Sequence, residues 1–178
     1  MTLALALTTL CQAQSRKVIT LPSWDFSRDG KAWQQVAVPH DWAISGPFDK
    51  KWDLQMVAIE QNGEKEKTEK SGRSGALPWI GEGMYKMNWT APKGYKRAVL
   101  VFDGAMSQPV VSVNGKEAGK WAYGYNAFRI DITPFIQFGK SNLIEVHLNN
   151  VEESSRWYPG GGLYRPVSVE LYGNENFS

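Results

Sequence analysis

Pro109-Val110-Val111-Ser112-Val113-Asn114-Gly115-Lys116 is the stretch on which the fold turns. A β-branched run leads into Asn-Gly, and the polar residues 116–120 follow. Both central positions of a two-residue type I′ turn need positive φ, which Asn and Gly tolerate best. The pair therefore predicts a tight antiparallel hairpin. Upstream, Ala98-Val99-Leu100-Val101-Phe102 is an unbroken apolar run, as in a central strand buried on both faces. Before it, Tyr85, Met87 and Trp89 alternate with Lys86 and Asn88, the period of a half-buried strand. Residues 17–21 predict a first strand. Residues 33–38 put Gln34, Val36 and Val38 on one side and stop at Pro39, which cannot donate to a ladder. Downstream, residues 127–131 alternate. Residues 142–149 turn Ile144, Val146 and Leu148 inward and Glu145 and His147 outward, and residues 166–171 turn Val167, Val169 and Leu171 inward. Between them, Thr133 and Pro134 read as the N-cap and first position of a single helical turn. Seven or eight short strands without a long amphipathic helix predict an all-β fold, an antiparallel two-sheet β-sandwich. The irregular stretch 41–83 and the Gly160-Gly161-Gly162 loop break the even spacing of an up-and-down barrel, which favours a jelly roll. The charged residues 60–74 read as a solvated excursion.

The chain has 178 residues, enough for one domain with its own core. Its 20 Lys plus Arg against 18 Asp plus Glu leave a net charge of +2. That balance argues against a polyanion or nucleic-acid binder. Eight Trp, seven Tyr and seven Phe favour a β-rich domain, and indole rings also stack well on pyranose faces. The apolar run Leu3 to Leu10 is too short to cross a bilayer. With Cys11-Gln12-Ala13 after it, it reads as a secretory signal, so residues 1–13 are expected to be removed. Lipidation at Cys11 is the alternative. Cleavage after Ala13 leaves a thiol-free chain suited to a periplasmic or secreted location. Residues 14–173 are then the sandwich and 174–178 a tail or the start of a linker.

Chemistry-bearing motifs are sparse. No cluster has metal-ligand spacing, no nucleophile elbow is present, and no phosphate or dinucleotide loop exists. No metal or cofactor is expected. A glycosidase needs two carboxylates flanking one bond, and no such pair stands beside an aromatic-lined segment, so no catalytic residue is assigned. Two segments stand out. One is the corner His40-Asp41-Trp42 after Pro39, read either as polar groups presented beside an indole or as a packed corner with Asp41 capping backbone N–H groups. The other is Arg156-Trp157-Tyr158 through Gly160-Gly161-Gly162 to Arg165, by composition a recognition loop for a sugar or another domain.

Five stretches in order carry a family resemblance: Val38-Pro39-His40-Asp41-Trp42; Gly81-Glu82-Gly83-Met84-Tyr85; Phe102-Asp103-Gly104-Ala105 with Val113-Asn114-Gly115-Lys116; Gly124-Tyr125-Asn126-Ala127-Phe128 with Asp131-Ile132-Thr133; and Ser155-Arg156-Trp157-Tyr158-Pro159-Gly160 with Leu163-Tyr164-Arg165. Together they resemble the N-terminal jelly-roll domain, galactose-binding-domain-like, of glycoside hydrolase family 2, nearest the β-galactosidases. The resemblance implies a non-catalytic sugar-binding domain partnered by an immunoglobulin-like domain and a catalytic barrel that carries both catalytic carboxylates. It implies a β-galactoside-type carbohydrate, no nucleic acid and no membrane span. His40, Asp41, Trp42, Arg156, Trp157, Tyr158 and Arg165 become candidates for the sugar-pocket rim or the domain interface. The same domain of a β-glucuronidase or β-mannosidase, and a free-standing carbohydrate-binding module, are the alternatives.

Overall fold

The structure is a computed structural model that describes residues 16–49, 78–79, 81–150 and 160–173. Among them the strands are β1 (Lys17–Thr20), β2 (Ser23–Ser27), β3 (Gln34–Ala37), β4 (Glu82–Thr90), β5 (Arg97–Phe102), β6 (Val110–Val113), β7 (Lys116–Lys120), β8 (Phe128–Asp131), β9 (Ser141–Asn149) and β10 (Val167–Tyr172), with one short helix, α1 (Trp42–Ser45). They form two antiparallel sheets. One has the order β1-β10-β5-β8 and the other β3-β2-β4-β9-β6-β7. The fold is the expected all-β sandwich.

Period-2 burial explains the layering. Phe26, Tyr85, Val146 and Val111 occupy one cross-strand row of the larger sheet and are all buried. On the smaller sheet, Ala98, Leu100 and Phe102 of β5 stand beside Leu171, Val169 and Val167 of the neighbouring β10, all buried. The other face of β5 is partly covered too. Val99 lies beside Glu170, whose carboxylate is held by Arg129, Arg16 and the Tyr172 hydroxyl, so charged side chains roof that face of the smaller sheet.

Two local expectations change. β2 was not anticipated: Ser23-Trp24-Asp25-Phe26-Ser27 does alternate, but Pro22 and its shortness hide it, and only pairing between β3 and β4 makes it a strand. The segment 131–136 is a hydrogen-bonded turn rather than a helical one. Asp131 accepts from the Thr133 N–H, while the Thr133 hydroxyl bonds the backbone of Ala98, so Asp131 is the cap and Thr133 a tie to β5. The helical turn lies instead at α1, where Asp41 is the N-cap. The expected signal segment 1–13, the charged residues 60–74 and the tail 174–178 lie outside the described residues.

Candidate functional site

The corner at the end of β3 and the ribbon 160–163 form one unit. His40 N–H donates to Leu163 O at 2.7 Å and Trp42 N–H to Gly161 O at 2.9 Å. On the ribbon's other edge, Met106 and Gly162 exchange two backbone hydrogen bonds of 2.9 and 3.0 Å. The ribbon is therefore clamped on both sides, like a strand between two neighbours.

Asp41 fastens the corner to the ribbon. Its Oδ1 accepts from Ala43 N–H and from Gly161 N–H, each at 2.9 Å. One carboxylate oxygen thus caps α1 and ties a segment 120 residues away. Trp42 is 1% exposed and packs against Phe26, Trp79 and Tyr85 with ring centroids 5.4 to 6.5 Å apart. Its ring is a core element and offers no free face to a sugar.

The glycine run is explained mainly by close approach. A Cβ on Gly160 would lie 2.6 Å from Asp41 Oδ2, and one on Gly161 only 2.1 Å from Trp42 Nε1. Gly162 alone of the three has positive φ, +110°, and its Cβ would fall 2.4 Å from the Tyr85 hydroxyl. The backbone freedom of glycine is used at Gly162, and all three positions need glycine because the ribbon lies directly on a Trp, an Asp and a Tyr.

Tyr85 is the residue the sequence reading left among core positions. Its hydroxyl sits 2.7 Å from His40 Nδ1 and accepts from Leu163 N–H at 3.4 Å. Burial pushes the phenol far above its ordinary value, so Tyr85 stays neutral at its hydrogen bond with His40 Nδ1. Burial likewise pushes the His40 imidazole below its usual 6.5; Arg28 adds to the shift and Asp41 opposes it. Burial thus biases both groups toward their neutral forms. A polar hollow of about 550 Å³ opens beside it, bordered by Arg28, Gln34, His40, Ser45 and Pro47.

Arg165 points the other way. Its guanidinium reaches Asp103 O at 3.4 Å and lies over the Tyr164 ring, whose hydroxyl donates to Gly124 O at 2.8 Å. The fold brings His40, Asp41 and Trp42 together with the glycine ribbon and sets Arg165 on its opposite flank. Arg156, Trp157 and Tyr158 lie outside the described residues. Among the described residues no group of three or more His, Cys, Asp or Glu is placed to hold a metal ion. What this arrangement does is position backbone: its carboxylate and its buried hydroxyl are already committed to N–H groups and to His40.

No family model matches the chain. It is 33% identical over 144 residues to the β-galactosidase BoGH2A of Bacteroides ovatus, covering 79% of this chain and 15% of that protein. It is 26% identical over 158 residues to a β-glucuronidase of Formosa agariphila, covering 80% and 14%. Among solved structures, a glycosyl hydrolase family 2 member from Bacteroides cellulosilyticus superposes with a TM-score of 0.69 at 26% identity over 88% of this chain and 20% of that one. The β-glucuronidase of Bacteroides uniformis has the same fold, with a TM-score of 0.65 at 24% identity over 90% and 18%. The chain thus spans a small part of the length of its relatives, in which the matching domain sits alongside others.

Proposed function

This chain is a β-sandwich domain of the glycoside hydrolase family 2 type, and we propose that its role is non-catalytic: it buttresses a catalytic barrel and supplies loops beside that barrel's sugar pocket. On this reading the activity is retaining hydrolysis of a β-galactoside-type bond, and its acid and nucleophile belong to the barrel. β-Glucuronidase relatives keep a glucuronide as the second candidate substrate. The observation that carries the reading is the clamped ribbon. Asp41, Tyr85 and three glycines fix residues 160–163 to the corner, a rigid mount for the segment just before it in the sequence, which contains Arg156, Trp157 and Tyr158. Those three, with His40 and Arg165 on either side of the ribbon, are the proposed rim or interface positions. Asp41 and Trp42 act by holding the mount. Export to the periplasm or outside the cell is part of the proposal, on the strength of the apolar run Leu3 to Leu10.

The test is direct. The purified chain is incubated with 4-nitrophenyl β-galactoside and 4-nitrophenyl β-glucuronide. No release of nitrophenol above the buffer rate is expected. Turnover by the pure chain, abolished by substitution of one of its own carboxylates, would overturn the non-catalytic role.

A further inference from the structure

We propose that Asn114 is a modification site gated by the fold. The native hairpin protects it from deamidation, unfolding exposes it, and the acid left behind weakens the hairpin. The proposal goes beyond the domain role above and does not depend on it.

The chemistry needs only the two turn residues, Asn114 and Gly115, and water. The backbone nitrogen of Gly115 attacks Asn114 Cγ, and the new N–Cγ bond closes a five-membered succinimide. The Cγ–Nδ2 bond breaks, the Gly115 N–H proton passes through water to Nδ2, and Nδ2 leaves as ammonia. Water then opens the ring at either carbonyl and leaves aspartate or isoaspartate at position 114. Nothing is oxidised or reduced. Asparagine counts among the thermolabile residues, and a following glycine has no Cβ to crowd the attacking nitrogen.

Sterics do not shield this turn. Asn114 and Gly115 are both exposed, and a Cβ built on Gly115 would meet nothing within 4 Å. Hydrogen bonds shield it instead. The Asn114 carboxamide is held at three points: Nδ2 donates to Phe135 O at 2.8 Å and to Asn142 Oδ1 at 2.9 Å, and Oδ1 accepts from Leu143 N–H at 3.0 Å. The Asn114 N–H donates to Leu143 O at 2.8 Å. Asn142 is itself fixed. It is 1% exposed, its Oδ1 also accepts from Gln137 N–H at 2.7 Å, and its Nδ2 donates to Lys140 O at 2.9 Å. Attack makes Cγ tetrahedral and expels Nδ2, so the planar amide that these bonds hold must be given up. Reaction therefore waits until the turn opens away from β9 and the 131–136 turn.

The product cannot return to the clamp. Aspartate puts an oxygen where Nδ2 stood, facing the acceptors Phe135 O and Asn142 Oδ1. An ionised carboxylate has no proton to donate, so two bonds are lost and their acceptors are left facing a negative oxygen. Asn142 cannot answer by flipping its amide, because its present orientation serves Gln137 and Lys140. Isoaspartate also lengthens the backbone of a two-residue turn by one carbon. Because ammonia is lost to bulk water, the change runs one way. A molecule that has stayed unfolded for long carries a permanent mark at the β6–β7 turn.

The experiment follows the parent chain at mildly alkaline pH, in buffer and in urea sufficient to unfold it. Peptide mass spectrometry measures loss of Asn114, with the chain's other Asn-Gly pair, Asn62-Gly63, as the reference in urea. In urea the two asparagines should react at rates within about threefold of each other, and in buffer Asn114 should react at least about tenfold more slowly than in urea. Asn114→Asp should lower the melting temperature by at least about 3 °C. If that variant does not fold, the parent chain is partly deamidated in urea, returned to buffer and resolved by ion exchange; the fraction reacted at Asn114 should melt below the unreacted one. A rate in buffer within tenfold of that in urea overturns the protection, and an Asn114 that survives urea while Asn62 reacts overturns the site. Melting of Asn114→Asp, or of the reacted fraction, together with the parent overturns the consequence. None of these outcomes bears on the nitrophenyl assay, so the two readings fail separately.

Discussion

At the corner, single atoms decide what each residue can be. Gly161 lies so close to Trp42 that an added Cβ would sit 2.1 Å from the indole nitrogen, and Trp42 is boxed in by Phe26, Trp79 and Tyr85. Nothing there is the free end of a flexible chain. Gly161→Ala should therefore lower unfolding free energy by about 1–3 kcal/mol, the range for overpacking a filled site. Urea denaturation measures it, and a change of a few tenths would mean that the ribbon can lift off the indole. His40 gives a pH signature. Its folded pKa is below 6.5 because burial disfavours the imidazolium. Between the folded and unfolded values the unfolded chain binds more protons, so stability is complete above about 6.5 and falls as pH drops through the folded value. His40→Asn removes this titration, and the difference between the variant and parent stability curves should slope only on the acid side of neutrality. A difference curve that is flat from about pH 5 to 8 would show that His40 is protonated at no cost in the folded state.

At the level of elements, the hairpin shows how far a local pattern carries. Asn114 and Gly115 both have positive φ, +51° and +77°, as the turn requires. Yet Asn114 does more than turn the chain. Its Nδ2 donates to Phe135 O at 2.8 Å and to Asn142 Oδ1 at 2.9 Å, and its Oδ1 accepts from Leu143 N–H at 3.0 Å. The β6–β7 turn is thereby bolted to β9 and to the 131–136 turn. Asn114→Gly keeps the backbone freedom and removes the bolts. It should cost about 1–3 kcal/mol, whereas a purely local turn would tolerate glycine within a few tenths; chemical denaturation of the variant distinguishes the two. The same division separates what was legible from what was not. Strands whose own side chains alternate or run apolar, such as β4, β5 and β9, announce themselves, because burial by a second sheet leaves that imprint. β2 is a strand because β3 and β4 flank it, and no five-residue window records its neighbours. The corner was legible as a place: a Pro, a His, an Asp and a Trp in succession mark a chain reversal. Its partner was not, since the Asp41–Gly161 bond joins residues 120 apart. The placement of Trp121 stayed hidden for a similar reason, as its ring is set by Phe128 and Phe102 in other strands.

Among the described residues, the exposed apolar surface includes two kinds that differ in chemistry. Trp121, Tyr123 and Tyr125 cluster within five residues and have polar atoms on their rings. Ile44 and Phe48 lie on and just after α1, 75% and 57% exposed, and have none. The second pair adjoins the corner that grips the 160–163 ribbon, through Asp41 as the cap of α1. Aliphatic and phenyl groups left in water at the edge of a rigid mount are what a domain presents to a neighbour in the same polypeptide. Where a neighbouring domain covers this edge, as proposed above, the purified 178-residue chain by itself should self-associate weakly through it. Ile44→Asn with Phe48→Ser should then shift sedimentation velocity profiles toward monomer at high concentration. The melting temperature should move little, because both side chains are largely outside the core. A fall in melting temperature of many degrees would instead place Ile44 and Phe48 in the fold's own packing. An unchanged association would move the docking edge elsewhere, with the mount around Asp41 unaffected.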